Sequence, residues 1–526
     1  MTDESQDAGG ARGLHGRIAS VGGLTLVSRI AGFARDVVLA AVLGAGPVAD
    51  VFFFAFRLPN HFRAIFAEGA FNVAFVPAYA RVRQQNGTDA AGLFADRVFS
   101  LLLLSQIVLL ALALAFTPWL VRLLGPGFDG DPVRFPLAVE LTRITFPYLL
   151  LMTLVTLFSG MLNAIDRFAA AAAAPILLNL SMIVALALAA FFPTAGHAAA
   201  WGVLVAGILE LLLVGGDAKR SGIMVKLRWP RWDEDVRRFF AALGPATIGA
   251  GGVQLALLAD TFIASFLSVG ALSALYYADR LNQLPIGVIG IAAGTVLLPE
   301  MARRIAAGDE PGARHAQARA IELTLLLSIP FVIGFLIVPD LIIRAFFKRG
   351  AFTAADASAA GATLRAYAIG LIPFVLIRSL VATYFARGDT ATPVKASLSA
   401  AAVNVALKFA LVGSLAQVGL ALATSVGAWI NVLLVGLFAV RARLFAFEPE
   451  LMRFLVKLAV AALALAIGLW GAEQLALKLV GHWSTLRDEA ALAIIVAAGG
   501  LVYGAAVAAL FGSQWRALLG RSRRGR

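Results

Sequence analysis

The sequence predicts an all-α polytopic membrane protein, and three observations carry that prediction. Hydrophobic residues make up 60% of the 526 and charged residues only 14%, too little charge to cover the surface of a soluble protein of this length. Apolar runs long enough to cross a hydrocarbon core of about 30 Å recur from end to end. The runs are continuous rather than alternating, which favours helices over the strands of a β-barrel.

The first sixteen residues are polar and Gly-rich, with no apolar core before Arg17. No cleavable signal peptide is visible there, so the first span is expected to act as its own insertion signal. About fourteen transmembrane helices follow, at 19–45, 48–80, 93–121, 136–163, 168–192, 196–215, 237–268, 270–302, 318–346, 357–386, 393–413, 416–440, 453–478 and 489–511. The turn signal Pro193-Thr-Ala-Gly196 separates the fifth from the sixth. Loop charge supports the count. With a cytoplasmic N-terminus, the connections after even-numbered spans carry Arg81, Arg83 and Arg97, then Lys219, Arg220, Lys226, Arg228 and Arg231, then Arg303, Arg304, Arg314 and Arg319, then Arg441 and Arg443. The tail adds Arg516, Arg521, Arg523, Arg524 and Arg526. The opposite loops are short and nearly neutral, Lys348-Arg349 and Lys478 excepted. This bias puts both termini in the cytoplasm. It also accounts for the net charge of +13 without a nucleic-acid partner.

An internal repeat is visible. Ala55-Phe-Arg57-Leu resembles Ala278-Asp-Arg280-Leu, and Val76-Pro77-Ala-Tyr-Ala-Arg81 resembles Leu298-Pro299-Glu-Met-Ala-Arg303, at offsets of 223 and 222 residues. Pro147 pairs with Pro373, and Asp166 with Asp389, at offsets of 226 and 223. The shift equals six spans, so both copies share one orientation. The expected architecture is two six-helix lobes, 1–230 and 231–445, with two extra C-terminal helices and a basic tail in 446–526. Parallel-repeat transporters are built in this way.

The first two spans hold an unusual set of charges: Arg29, Arg35, Asp50, Arg57, Arg63 and Glu68. An Arg near the middle of a span costs about 2.5–3.5 kcal/mol on insertion scales. Several kept together point to an anionic ligand or a water-filled cavity, and Arg binds phosphate bidentately while staying charged. Internal pairing is the competing use, since Asp50 and Arg57 share a helix face and Arg35 adjoins Asp36. Gly32 is expected to allow a bend and Pro59-Asn60 a break. In the C-terminal lobe, Asp260 and Lys408 lie in apolar runs. They form either an ion or proton site or a pair with each other. Glu210 is assigned no role.

The chain has no Cys and no P-loop, and its five His residues lack metal-ligand spacing. Neither a catalytic constellation nor a metal or organic cofactor is expected, and a transporter is favoured over an enzyme.

The segments Ser28-Arg-Ile-Ala-Gly-Phe-Ala-Arg-Asp36, Gly44-Ala-Gly46, Phe56-Arg-Leu-Pro-Asn60, Arg63-Ala-Ile-Phe-Ala-Glu-Gly-Ala-Phe71, Gly125-Pro-Gly-Phe128, Tyr276-Tyr-Ala-Asp-Arg-Leu281 and Arg387-Gly-Asp-Thr-Ala-Thr-Pro-Val-Lys395 closely resemble the MurJ (MviN) lipid II flippase family. The resemblance runs over nearly the whole chain. It implies a relative of the multidrug and toxin extrusion (MATE-like) transporters in the bacterial cytoplasmic, or inner, membrane. Such a protein carries lipid II, the undecaprenyl-pyrophosphate-linked disaccharide peptide used for cell wall synthesis, by alternating access. It implies that Arg29, Arg35, Asp50, Arg63 and Arg280 serve substrate binding, with Glu68 and Asp279 in the same motifs. The last two spans would receive the polyprenyl tail. Sodium-coupled members carry an ion site that Asp260, Asn404 and Thr424 match, but Lys408 stands where a second Asp is expected. Coupling to sodium is therefore not expected, leaving membrane potential or other ions.

Three alternatives remain. An exporter of another polyprenyl-linked glycan or of drugs would share the fold, though acids rather than arginines suit cationic drugs. A membrane enzyme acting on polyprenyl pyrophosphate would need a metal-holding carboxylate set, and none is apparent. A scaffold binding partners through its basic loops would leave the arginines inside the spans unexplained.

Overall fold

The computed structural model describes residues 4–63, 70–229, 231–445 and 449–524. Among them all regular structure is helical. The helices are α1 (Glu4–Leu43), α2 (Pro47–Arg63), α3 (Ala70–Ala115), α4 (Thr117–Leu124), α5 (Arg134–Thr145), α6 (Pro147–Asn163), α7 (Ala169–Ala187), α8 (Ala195–Arg220), α9 (Glu234–Ser265), α10 (Ala271–Ala306), α11 (Glu310–Ile337), α12 (Pro339–Phe347), α13 (Ala354–Phe385), α14 (Ala391–Arg441), α15 (Pro449–Val480) and α16 (Arg487–Arg524).

Nine stretches among the described residues are long and apolar enough to cross a membrane, against the fourteen expected. Two causes of the difference are visible. At 17 residues, α2 is short for a span. The 51-residue α14 is one of the nine, yet it bends at Ala416 (φ 48°, ψ −129°) and holds the eleventh and twelfth expected spans. Helix α3 also doubles back, at Gly87 (φ 85°). The rings of Phe75 and Phe94 stack 5.8 Å apart, whereas a straight helix would separate those residues by about 28 Å.

Prolines set several boundaries. The expected span at 136–163 is two helices, because Pro147 begins α6. Pro118 and Pro339 stand in the first turns of α4 and α12 and divide two more expected spans. Each lacks the N–H that a continuing helix would need and carries a φ suited to a first turn. Pro59 behaves differently from the break expected of it, because α2 continues through to Arg63. A mid-helix proline leaves the carbonyl four residues back without its donor. Here Thr145 Oγ1 donates to Ala55 O at 3.0 Å. The same repair occurs twice more. Pro330 lies inside α11, and Tyr503 Oη donates to Leu326 O at 2.7 Å. Pro373 lies inside α13, and Trp429 Nε1 donates to Ile369 O at 2.8 Å. With no water in the hydrocarbon core to take those carbonyls, a side chain from a neighbouring helix replaces the lost donor.

By contacts the chain divides into two compact units, Met1–Ser273 with Arg349–Phe352, and Ala274–Lys348 with Thr353–Arg526. In the first unit, α1 and α8 pack on α7, and α3 packs on α6 and α9. Phe71, Phe75, Phe94 and Phe239 form one aromatic cluster there. The Gly125-Pro-Gly-Phe128 motif has a structural use in this unit. Phe128 is buried edge-on against Phe54 at 5.1 Å. Gly127 donates to Ser265 Oγ at 3.0 Å, and a Cβ there would stand 2.2 Å from Ser265 O. In the second unit, α13 packs on α11 and α14, and α15 pairs with α16 against α11. Tyr384 Oη donates to Val435 O at 2.9 Å within its core.

Candidate functional site

The first unit holds Arg29, Arg35, Asp50 and Arg63. Glu68 lies outside the described residues. Arg29 is exposed on α1, within the first expected span, and has no hydrogen bond or ion pair among the described residues. Arg35, two turns on, is buried at 5% exposure. Its Nε and Nη2 donate to Asp36 Oδ1 at 3.1 and 2.7 Å, and its Nη1 to Asn179 Oδ1 at 2.9 Å. Asn179, on α7, also donates from Nδ2 to Ser28 O at 3.0 Å. One amide thus ties the Arg35 guanidinium to the turn that carries Arg29. The Arg35–Asp36 pairing was legible from adjacency. Asn179 was not, because it lies 144 residues away.

Asp50 does not form the pair with Arg57 that their spacing allows. Its carboxylate is buried and accepts from Gly270 N at 2.7 Å, Ser273 N at 2.8 Å and Ser273 Oγ at 2.6 Å. The Gly270 N–H lies just before α10 and the Ser273 N–H in its first turn, so Asp50 caps the start of that helix, where a negative charge is favourable. Ser273 follows Asp50 by 223 residues, the offset that relates Arg57 to Arg280. The repeat therefore contained a signal for this contact. Arg57 has no hydrogen bond or ion pair among the described residues, and Arg63 is half-buried at the end of α2.

The second unit holds Asp279 and Arg280 on α10, both half-buried. Arg280 Nη2 donates to Tyr276 Oη at 3.1 Å, and its guanidinium carbon lies 4.8 Å from the centre of the Tyr276 ring. A tyrosine one turn back thus holds the arginine both through its hydroxyl and by cation–π attraction. Asp279 accepts from Gln283 one turn on.

The candidate ion-site residues divide in the same way. Asp260 is half-buried near the end of α9 in the first unit. Asn404, Lys408 and Thr424 share the α14 hairpin in the second. The hairpin register is set by two glycines: a Cβ on Gly419 would stand 2.7 Å from Leu411 O, and one on Gly427 would stand 2.8 Å from Asn404 Cβ. Lys408, buried at 2% exposure, follows Asn404 by one turn and lies at the level of Thr424 on the other arm. Asn404 Oδ1 is buried with no hydrogen-bond donor among the described residues, while Thr424 Oγ1 donates to Leu420 O at 3.0 Å.

Helices of membrane length grouped into two compact units define a polytopic all-α membrane fold. A solved lipid II flippase MurJ in an inward closed conformation matches with a TM-score of 0.80 at 24% identity, covering 94% of this chain and 99% of that one. An inward-facing multidrug resistance MATE family transporter of the MOP superfamily matches with a TM-score of 0.67 at 15% identity, over 79% of this chain and 94% of that one. The family model for lipid II flippase MurJ matches residues 39–486. The "Probable lipid II flippase MurJ" of Rhizobium tropici is 45% identical over 421 residues, 79% of each chain. The lipid II flippase MurJ of Burkholderia cenocepacia is 34% identical over 509 residues, 95% of this chain and 96% of that one. The chain belongs to the MurJ lipid II flippase family.

Proposed function

We propose that this protein moves lipid II from the cytoplasmic to the periplasmic leaflet of the bacterial inner membrane by alternating access, and that it is a transporter without enzymatic activity. The observation that carries the reading is Arg29, a guanidinium inside a span that makes no internal pair among the described residues. An unpaired cation in a span is costly, and the diphosphate of a lipid-linked sugar offsets that cost by bidentate, charge-assisted bonds. Arg63 and Arg280 serve the same ligand, with Asp279 beside Arg280 and Glu68 in the same motif as Arg63. Arg35 and Asp50 support the site, through Asn179 and through the α10 cap. Binding favours one state of the transporter over the other through its differential affinity for the two.

The remaining assignments follow the same reading. Both termini face the cytoplasm, as the basic loops require. The lobes 1–230 and 231–445 are the repeating parts, and 446–526 adds the path for the polyprenyl tail. An apolar stripe on α15 suits that tail: Met452, Val456, Val460, Leu463, Ile467 and Trp470 are all exposed. No cofactor takes part, and Lys408 replaces a coupling sodium.

The test is lipid II exposure at the periplasmic face of cells depleted of their own flippase. Rescue by the wild type, and loss of rescue in Arg29→Ala and Arg280→Ala proteins that still insert, is the expected result. A well-expressed wild type that restores no exposure would remove the substrate assignment.

A further inference from the structure

A charged group outside the motifs already discussed lies on the second unit, exposed at the level of an expected span. Arg378 is on α13, within the tenth expected span, and has no hydrogen bond or ion pair among the described residues. It borders a cavity of about 280 Å³ otherwise lined by Leu298 of α10 and by Ile377, Val381, Ala382 and Phe385 of α13. Its side chain passes close over Gly290. A Cβ at that glycine would stand 2.9 Å from Nε and 3.0 Å from Cδ of Arg378. The missing side chain makes the place for the arginine.

The direction of the side chain is informative. Ala382 is buried together with Leu297 and Met301, which sets the register between α13 and α10. By that register the Cα of Arg378 lies level with about residue 295, so its head, at Gly290, sits ~7 Å further from the end of the span that the basic loops mark as cytoplasmic. An arginine that merely snorkels would reach the other way, toward the nearer interface. Arg378 instead follows the backward tilt of helical side chains into the membrane. Gly290 in turn is ten residues beyond Arg280 on α10, a separation of about 15 Å along the axis. The second unit therefore presents two guanidinium groups along one helix, at two depths.

We propose that Arg378, seated on Gly290, is a phosphoryl-binding station for the diphosphate of the transported lipid, on the cytoplasmic side of Arg280. The proposal rests on the function and orientation given above. The phosphate of a bulk anionic phospholipid offers the same chemistry, so the test must separate the two sources. The full chain, purified into zwitterionic nanodiscs, is titrated with lipid II and separately with phosphatidylglycerol.

Arg378→Ala is expected to weaken lipid II binding about tenfold, the loss of one strong charge-assisted contact, and to leave phosphatidylglycerol binding unchanged. Arg378→Lys falls between, since it keeps the charge without the fork. Gly290→Ala, which displaces the guanidinium without removing it, shifts affinity in the same direction and covers the case in which Arg378→Ala fails to fold. Arg365→Ala, on the same helix with its Nε bonded to Leu336 O, binds as wild type. Lipid II affinity unchanged in both Arg378→Ala and Gly290→Ala overturns the proposal, as does equal loss of both lipids. A wild type that binds no lipid II overturns the transport reading as well, and that result is in hand before any variant is made.

Discussion

At the scale of the residue, charge in this chain is used in two ways. Some groups are fully engaged by the protein. Asp131 lies in the connection before α5, outside the spans, where its carboxylate accepts from Arg134 N at 2.8 Å, Arg134 Nε at 2.6 Å and Val133 N at 2.9 Å. The Arg134 backbone N–H, then its side chain, then the Val133 N–H hold its pKa down to about 2. The unfolded value is about 3.9. A group depressed on folding adds stability that is complete above the unfolded value and is lost as pH falls through the folded one. Hydrogen-exchange protection of residues 125–135 should therefore decline between about pH 4 and pH 2 in the wild type, and Asp131→Asn should be weaker and flat over that range. Equal declines in both proteins would remove Asp131 as the cause. Other charges, Arg29, Arg57 and Arg378 among them, are left without an internal partner among the described residues, and two of these three, Arg29 and Arg378, are proposed to meet a ligand. Sequence made this division only partly legible. Asp36 stands beside Arg35 and could be guessed, but Asn179 and Gly290 are brought to their arginines by helix packing, which leaves no local pattern.

At the scale of the element, the prolines separate what a sequence can say from what it cannot. Pro147 and Pro339 begin helices and follow the rule that proline tolerates a first turn. Pro59, Pro330 and Pro373 sit inside helices that continue, because Thr145, Tyr503 and Trp429 supply the donors for the stranded carbonyls. Nothing near Pro59 in the chain announces Thr145, so a break was the reasonable expectation and the fold overrode it. Thr145→Val, Tyr503→Phe and Trp429→Phe keep most of each side chain's volume and remove only the donor. Each should cost about 1 kcal/mol in the membrane, seen as a lowered melting temperature of the purified protein. Replacing the matching proline by alanine in the same protein should recover most of that loss, since the helix then provides its own N–H. Failure of that recovery in all three pairs would mean the side-chain bonds do not serve the carbonyls as described.

At the scale of the whole molecule, the question is what drives transport. A sodium site needs several oxygen ligands and a net negative surrounding. In the α14 hairpin, Asn404 Oδ1 has no donor among the described residues, and Thr424 stands on the other arm, one turn before the Gly427 that packs against Asn404. Lys408 follows Asn404 by one turn on the same helix face and is buried. Two unit positive charges 4 Å apart repel by about 4 kcal/mol at an effective dielectric of 20, so an ammonium in this hairpin disfavours a monovalent cation beside it. On the function proposed above, the ammonium stands where a transported ion would come and go. Flipping of lipid II in proteoliposomes should therefore proceed at the same rate when sodium is replaced by potassium or choline at constant ionic strength. Lys408→Met keeps the aliphatic stem, removes the charge, and should lower activity without creating a cation requirement, because the hairpin then lacks both the ammonium and a carboxylate. Lys408→Asp restores a carboxylate one turn from Asn404 and is the variant in which sodium dependence should first appear. A steep sodium requirement in the wild type that persists in Lys408→Met would place the coupling ion elsewhere and end the argument from this hairpin.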